Sequence, residues 1–251
     1  MIQRISLAVL LLAAWLGTSS RALADPVDLA LVLVADVSGS IDDSEFELQK
    51  AGYAAAFRDP KVLSAIQSGA LGAIAVSYVE FAGADQVARV LDWAVIHDDT
   101  TAAAFAERFE KAPRSFRGHT SISAGIDMAV ENFSEEGITA TRRAIDVSGD
   151  GTNNSGRDVT EARDAAVAAG ITINGLAIIN DHPASYLHAH VQPPGGLTEW
   201  YRSHVIGGPG SFVLEVHDFR TFGEAMTQKL VAEIAALEVP GRRSASLEYF
   251  R

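Results

Sequence analysis

The chain has 251 residues, with 32 acidic against 20 basic side chains, a formal net charge of -12 and no cysteine. Without thiols, disulfides, thiolate catalysis, zinc-thiolate sites and an N-terminal lipid on cysteine are excluded. An acidic chain with no basic run also has little attraction for nucleic acid or anionic lipid, whose binding depends on clustered Lys and Arg.

Residues 1–24 read as an export signal: Arg4, the apolar run Ile5 to Leu16, then Ala22-Leu23-Ala24 before Asp25. The run is too short to span a bilayer, and the Ala-x-Ala ending suits a signal peptidase; the alternative is an uncleaved N-terminal anchor. One domain is expected over 25–240, with ample material for a single core, and a tail over 241–251. No later stretch is long and apolar enough to cross a membrane. The expectation is an exported protein, periplasmic or extracellular, with no stable membrane insertion after cleavage.

Strand-like and helix-like stretches alternate from residue 26 onward, which predicts an α/β fold: a doubly wound, mostly parallel central sheet with helices on both faces. Val27 to Ala35 is almost continuously apolar, as in a central strand buried on both sides. A helix is predicted from about Asp43, with Asp42, Asp43, Ser44 and Glu45 as cap and dipole partners and Pro60 marking its end. Phe46, Lys50, Tyr53 and Phe57 share one face, Lys50 being the polar intruder. Ala73–Phe81 and Ala88–Ile96 are separated by a turn too short for a parallel crossover, so one antiparallel edge strand is expected. Helices follow over Thr101–Lys111 and Ser121–Phe133, a strand over Ala144–Ser148, and a helix over about Asp158–Ala169 closed by Gly170. Ile171–Ile179 and Ser211–Val216 read as strands, and Phe222–Leu237 as the last helix. The stretch 180–210 is long for a connection and should contain a short helix and contribute to a binding surface.

The chemistry lies at the ends of the apolar strands. Asp36-Val37-Ser38-Gly39-Ser40 places one carboxylate and two hydroxyls where the first strand gives way to a loop. These are hard oxygen donors suited to a magnesium-type ion, which wants six oxygens and keeps some as water. One loop cannot fill that shell. Thr120, at a helix N-terminus in Gly118-His119-Thr120-Ser121, and Asp150, in Ser148-Gly149-Asp150-Gly151, supply two more. Each element alone could be a turn or a cap. Together they fall where ligands bind in open α/β sheets, outside the carboxyl ends of the strands.

With Asp36, Ser38, Ser40, Thr120 and Asp150 in view, the chain resembles the von Willebrand factor A-type domain. That family's metal-ion-dependent adhesion site has the pattern Asp-x-Ser-x-Ser, then Thr, then Asp before Gly. The resemblance covers about Asp25 to Leu237, and Asp146-Val-Ser-Gly-Asp-Gly-Thr-Asn-Asn154 is similar to an exported bacterial group of unassigned function. It implies that those five residues hold the metal, the two Asp partly through water. Gly149 stands where the family usually has Thr. Asp146, inside an apolar strand, reads as a satisfied core polar group in preference to a second-sphere acceptor. Asp42 and Asp43 resemble the acidic residues of an adjacent calcium site in some relatives; helix capping explains them equally well. His182, His188, His190 and His204 read as exposed loop histidines in preference to a zinc site.

Two carboxylates and three neutral hydroxyls leave a divalent cation net electrophilic, so an open coordination position would favour an acidic oxygen from a partner. The leading expectation is therefore a non-enzymatic protein-binding module, with Mg2+ as the cation (Mn2+ and Ca2+ as alternatives) and an Asp or Glu of another protein completing the shell. A magnesium-dependent hydrolase of phosphate or ester substrates is second, lacking an assignable base or nucleophile. A structural scaffold is third. Nucleophile-elbow, phosphate-loop, His-Glu-x-x-His and dinucleotide-turn motifs are absent.

Overall fold

The computed structural model describes residues 26–134, 137–179 and 193–235. The predicted signal, the tail, and His182, His188 and His190 lie outside them. Strand β1 (Val27–Asp36) is buried along its whole length, because it pairs in parallel with β2 (Ile74–Phe81) on one side and β4 (Ala140–Gly149) on the other. Its side chains alternate between two cores. Leu29, Leu31, Leu33 and Ala35 enter one, Val32 and Val34 the other, as the two-residue period of a strand dictates.

The sheet has six strands in the order β3-β2-β1-β4-β5-β6. The edge strand β3 (Val87–Ile96) is antiparallel to β2, while β5 (Thr172–Ile178) and β6 (Val213–Val216) continue the parallel set. The strand order reverses between β1 and β4, so their carboxyl ends flank the topological switch point. The predicted fold class is the observed one.

Helices α1 (Asp43–Arg58), α2 (Pro60–Gln67), α3 (Asp99–Lys111) and α7 (Phe222–Ala235) fill the first core. Helices α4 (Ile122–Phe133), α5 (Val159–Ala168) and α6 (Leu197–His204) fill the second. Helix α2 was not expected. Pro60 ends nothing by itself: α1 stops at Arg58, and Pro60 opens α2 while Asp59 caps it by accepting from Lys61 N–H at 2.8 Å. At that first helical position the missing proline N–H costs no hydrogen bond. The short helix expected within 180–210 is α6. His204 sits on it, half-buried and stacked on Trp200 with ring centroids 5.0 Å apart, which corrects its reading as an exposed loop residue.

Four contacts set the loop end of the sheet. Tyr53 of α1 stacks on Phe109 (5.0 Å) and meets Phe222 edge-on (5.1 Å). Its hydroxyl shares a 2.6 Å hydrogen bond with Ser148 Oγ near the end of β4. Helix α4 is pressed onto β1 and β2 at Gly125, where a Cβ would lie 2.6 Å from Val34 Cγ1 and 2.9 Å from Phe81 Cδ1. Two buried charged side chains deeper in the fold, Lys50 and Asp146, have partners. Lys50 Nζ donates to the Ala112 carbonyl at 3.0 Å. Asp146 is a core group, as expected, held by an ion pair with Lys229 Nζ at 2.6 Å, and Lys229 also donates to Glu233 Oε1 at 2.6 Å.

Candidate metal centre

Asp36 is the last residue of β1 and is fully buried, and Ser38 is buried with it. The chain turns back at once. Ser38 N–H donates to Asp36 Oδ1 at 2.7 Å, which fixes the carboxylate, and Ser38 Oγ lies 3.0 Å from Ser40 Oγ. Ser40 Oγ in turn donates to Asp150 Oδ1 at 2.8 Å. Residues from the ends of two adjacent strands, far apart in sequence, are thus joined by hydroxyl bridges.

Thr120 is buried and reaches this place through its loop. Gly39 N–H donates to the Gly118 carbonyl (2.9 Å), tying the Thr120 loop to the Ser38–Ser40 turn. Thr120 N–H donates to Asn154 Oδ1 (2.9 Å), and the Thr120 carbonyl accepts from Asn154 N–H (2.8 Å). Asn153 Oδ1 accepts from Ser123 N–H in the first turn of α4 (3.0 Å). Ser38, Ser40 and Asp150 are linked side chain to side chain, Asp36 joins them through the Ser38 N–H, and the Thr120 loop is tied to the Ser38–Ser40 turn by backbone.

Two sets of residues were not anticipated. The Asn153-Asn154 pair stitches the Asp150 loop to the Thr120 loop, and its only sequence signal was the polar run after Gly151. Arg114 clamps the first loop: its Nη2 donates to the carbonyls of Val37 (2.7 Å), Ser38 (2.7 Å) and Ile41 (2.8 Å). Beneath it, burial pushes the Glu80 carboxyl up, while the Ser115 N–H donor, the Tyr78 hydroxyl and Arg114 hold it down. An open groove of about 400 Å³ lined by Gln86, Arg114, Ser115, Phe116 and Arg117 adjoins the site. Asp42 caps α1, accepting from Glu45 N–H at 2.9 Å, and Asp43 pairs with Arg117.

The donor set fits a hard divalent cation. It consists of oxygen alone, from two buried carboxylates and three hydroxyls, the ligand type such a cation prefers.

A doubly wound sheet of this order, with one antiparallel edge, is the fold of a von Willebrand factor A-type domain. More narrowly, the chain belongs to the family described as "Protein of unknown function (DUF1194)", whose profile matches residues 26–238. No curated protein matches the chain significantly. Among solved structures, proximal thread matrix protein 1 from the mussel byssus is 16% identical with a TM-score of 0.56, covering 85% of this chain and 47% of its own. The chain therefore spans about half of that protein. In one structure of the mussel protein its metal-ion-dependent adhesion site holds zinc. A von Willebrand factor type A protein from Catenulispora acidiphila is 16% identical (TM-score 0.55; 83% and 43% covered). An aerotolerance-related membrane protein from Bacteroides fragilis is 21% identical (TM-score 0.51; 80% and 98% covered). Among the described residues no helix is long and apolar enough to cross a membrane.

Proposed function

We propose that the chain is an exported, metal-dependent protein-binding module in which Asp36, Ser38, Ser40, Thr120 and Asp150 hold a divalent cation, Mg2+ by preference. The observation that carries this reading is the hydrogen bond from Ser40 to Asp150, which ties the turn after Asp36 to the buried carboxylate that follows β4, at the topological switch point. When bound, the cation supplies an electrophilic position for an anionic oxygen. The residues of this chain supply the rest. Ser38 N–H orients Asp36, Arg114 stiffens the loop through three carbonyls, and the groove beside them carries the cationic side chains of Arg114 and Arg117. That combination selects an Asp or Glu side chain on another protein. We assign the chain no catalytic residue, and the zinc in the mussel protein's equivalent motif supports the choice of a divalent cation.

The test is thermal and chemical unfolding with and without Mg2+. A ligand that binds only the folded state adds about 2.7 kcal/mol at a hundredfold excess over Kd. The wild type should gain that stability, Asp150→Ala should not, and capture of an acidic partner should be abolished by EDTA. Equal stability of the wild type with and without millimolar Mg2+ or Mn2+ would sink the proposal.

A further inference from the structure

Helix α6 carries a buried group that the five-residue site leaves unused. Tyr201 is 0% exposed and lies in the second core beside Leu197 and Val205. Its hydroxyl has no hydrogen-bond partner among the described residues. A buried hydroxyl left in that state costs roughly 1–3 kcal/mol, and buried tyrosines usually find an acceptor. A fold that keeps such a group aims it at something.

Gly149 shows where it points. A Cβ built there would lie 2.9 Å from the Tyr201 hydroxyl, 2.9 Å from Asp36 Cβ and 3.0 Å from Asp36 Oδ2. The phenol and the outer edge of the Asp36 carboxylate thus converge on the space that a side chain at 149 would occupy. Glycine is required there by close approach, and the Tyr201 hydroxyl enters from a different layer of the fold. A tyrosine phenol carries its proton at neutral pH. A protonated phenol facing carboxylates is a donor.

We propose that Tyr201 is a positioning residue of the metal centre: with the cation bound, its hydroxyl donates to the Asp36 carboxylate and couples α6 to metal occupancy. This rests on the metal-site reading above. A carboxylate that binds metal through one oxygen and accepts a hydrogen bond on the other is held in orientation, and removing such an outer partner typically costs 10–100-fold in metal affinity.

The experiment is Mg2+ titration by calorimetry of the wild type, Tyr201→Phe, Gly149→Ala and Asp150→Ala, with hydrogen exchange of residues 197–205 as a second readout. Tyr201→Phe keeps the ring and removes only the oxygen. Its metal-free melting temperature should stay level or rise, while its Mg2+ affinity falls 10–100-fold. Mg2+ should slow exchange across α6 in the wild type but not in Tyr201→Phe. Gly149→Ala, which wedges a methyl between the two groups, should show the same pair of losses. If Tyr201→Phe matches the wild type in both affinity and α6 protection, the Tyr201 role is overturned while the metal site stands. If wild type and Asp150→Ala are equally unresponsive to Mg2+, both readings fail together.

Discussion

Within the core, Lys229 Nζ lies 2.6 Å from Asp146 Oδ1 and 2.6 Å from Glu233 Oε1, and Asn174 Nδ2 donates to the same Glu233 oxygen at 2.9 Å. At the loop end of the same sheet, Asp36 and Asp150 are also buried, and the bonds from one to the other run through the Ser38 N–H and the hydroxyls of Ser38 and Ser40. Both places bury two carboxylates, and the chain provides the cation in one of them as part of its covalent structure. The lesson concerns exchange. A lysine cannot leave, so the Asp146 cluster is a structural element, whereas the proposed site of hydroxyls and carboxylates would hold a cation that comes and goes.

The largest test of this contrast removes the built-in cation. Lys229→Met leaves two carboxylates uncompensated in the core and should destabilise the protein by about 3–5 kcal/mol in urea unfolding. Asp150→Ala in metal-free buffer should cost much less, since it relieves repulsion at the loop end. A Lys229→Met variant as stable as the wild type would erase the distinction.

The next effect is on pH dependence. Burial first, then the neighbouring Asp146, push the Glu233 carboxyl up to about 7 from its ordinary 4.5, against the pull of Lys229 and Asn174. Between about pH 4.5 and 7 the folded chain keeps a proton that the unfolded chain has released. Stability contributed by this group is therefore complete below pH 4.5, declines as pH rises through that window, and levels off above it, with a total on the order of 3 kcal/mol. Glu233→Gln should flatten this slope in unfolding curves measured from pH 4.5 to 8. An unchanged slope would place the titration elsewhere.

The smallest effect sharpens the loop end. Arg114→Ala removes the three donors to Val37, Ser38 and Ile41, and Mg2+ affinity should fall about tenfold, as for other outer-sphere supports of a metal site. The core cluster should be untouched, so the pH slope assigned to Glu233 should persist in this variant.

What could be read from the sequence follows from where each signal resides. The β1 run and the helical spacing of Ile122 and Ile126 in α4 are local patterns of burial, and the structure follows them. Asp36, Ser38 and Ser40 share one turn, so their association was legible from spacing, and Asp150 was legible as an acidic residue closing a second apolar strand. Arg114 was not, because it bonds backbone carbonyls, which carry no sequence signature. Tyr201 was hidden by its place in a connection, and α2 by reading Pro60 as a stop. Lys229 and Glu233 did carry a signal: a charged i, i+4 pair on the buried face of an amphipathic helix, beside Met226 and Leu230, which asks for a partner in the core such as Asp146.

The pairing of β1 with β4 has a kinetic consequence. A chain in which β1, β2 and β3 have formed their sheet possesses Asp36, Ser38 and Ser40 but lacks Asp150, which arrives with β4 on the other side of the switch point. The proposed metal centre would be complete only once the long-range β1–β4 contact has closed. Added cation should therefore leave the early steps of folding unaccelerated and act by slowing unfolding. On the proposed reading, the capacity to bind a cation would certify completed folding.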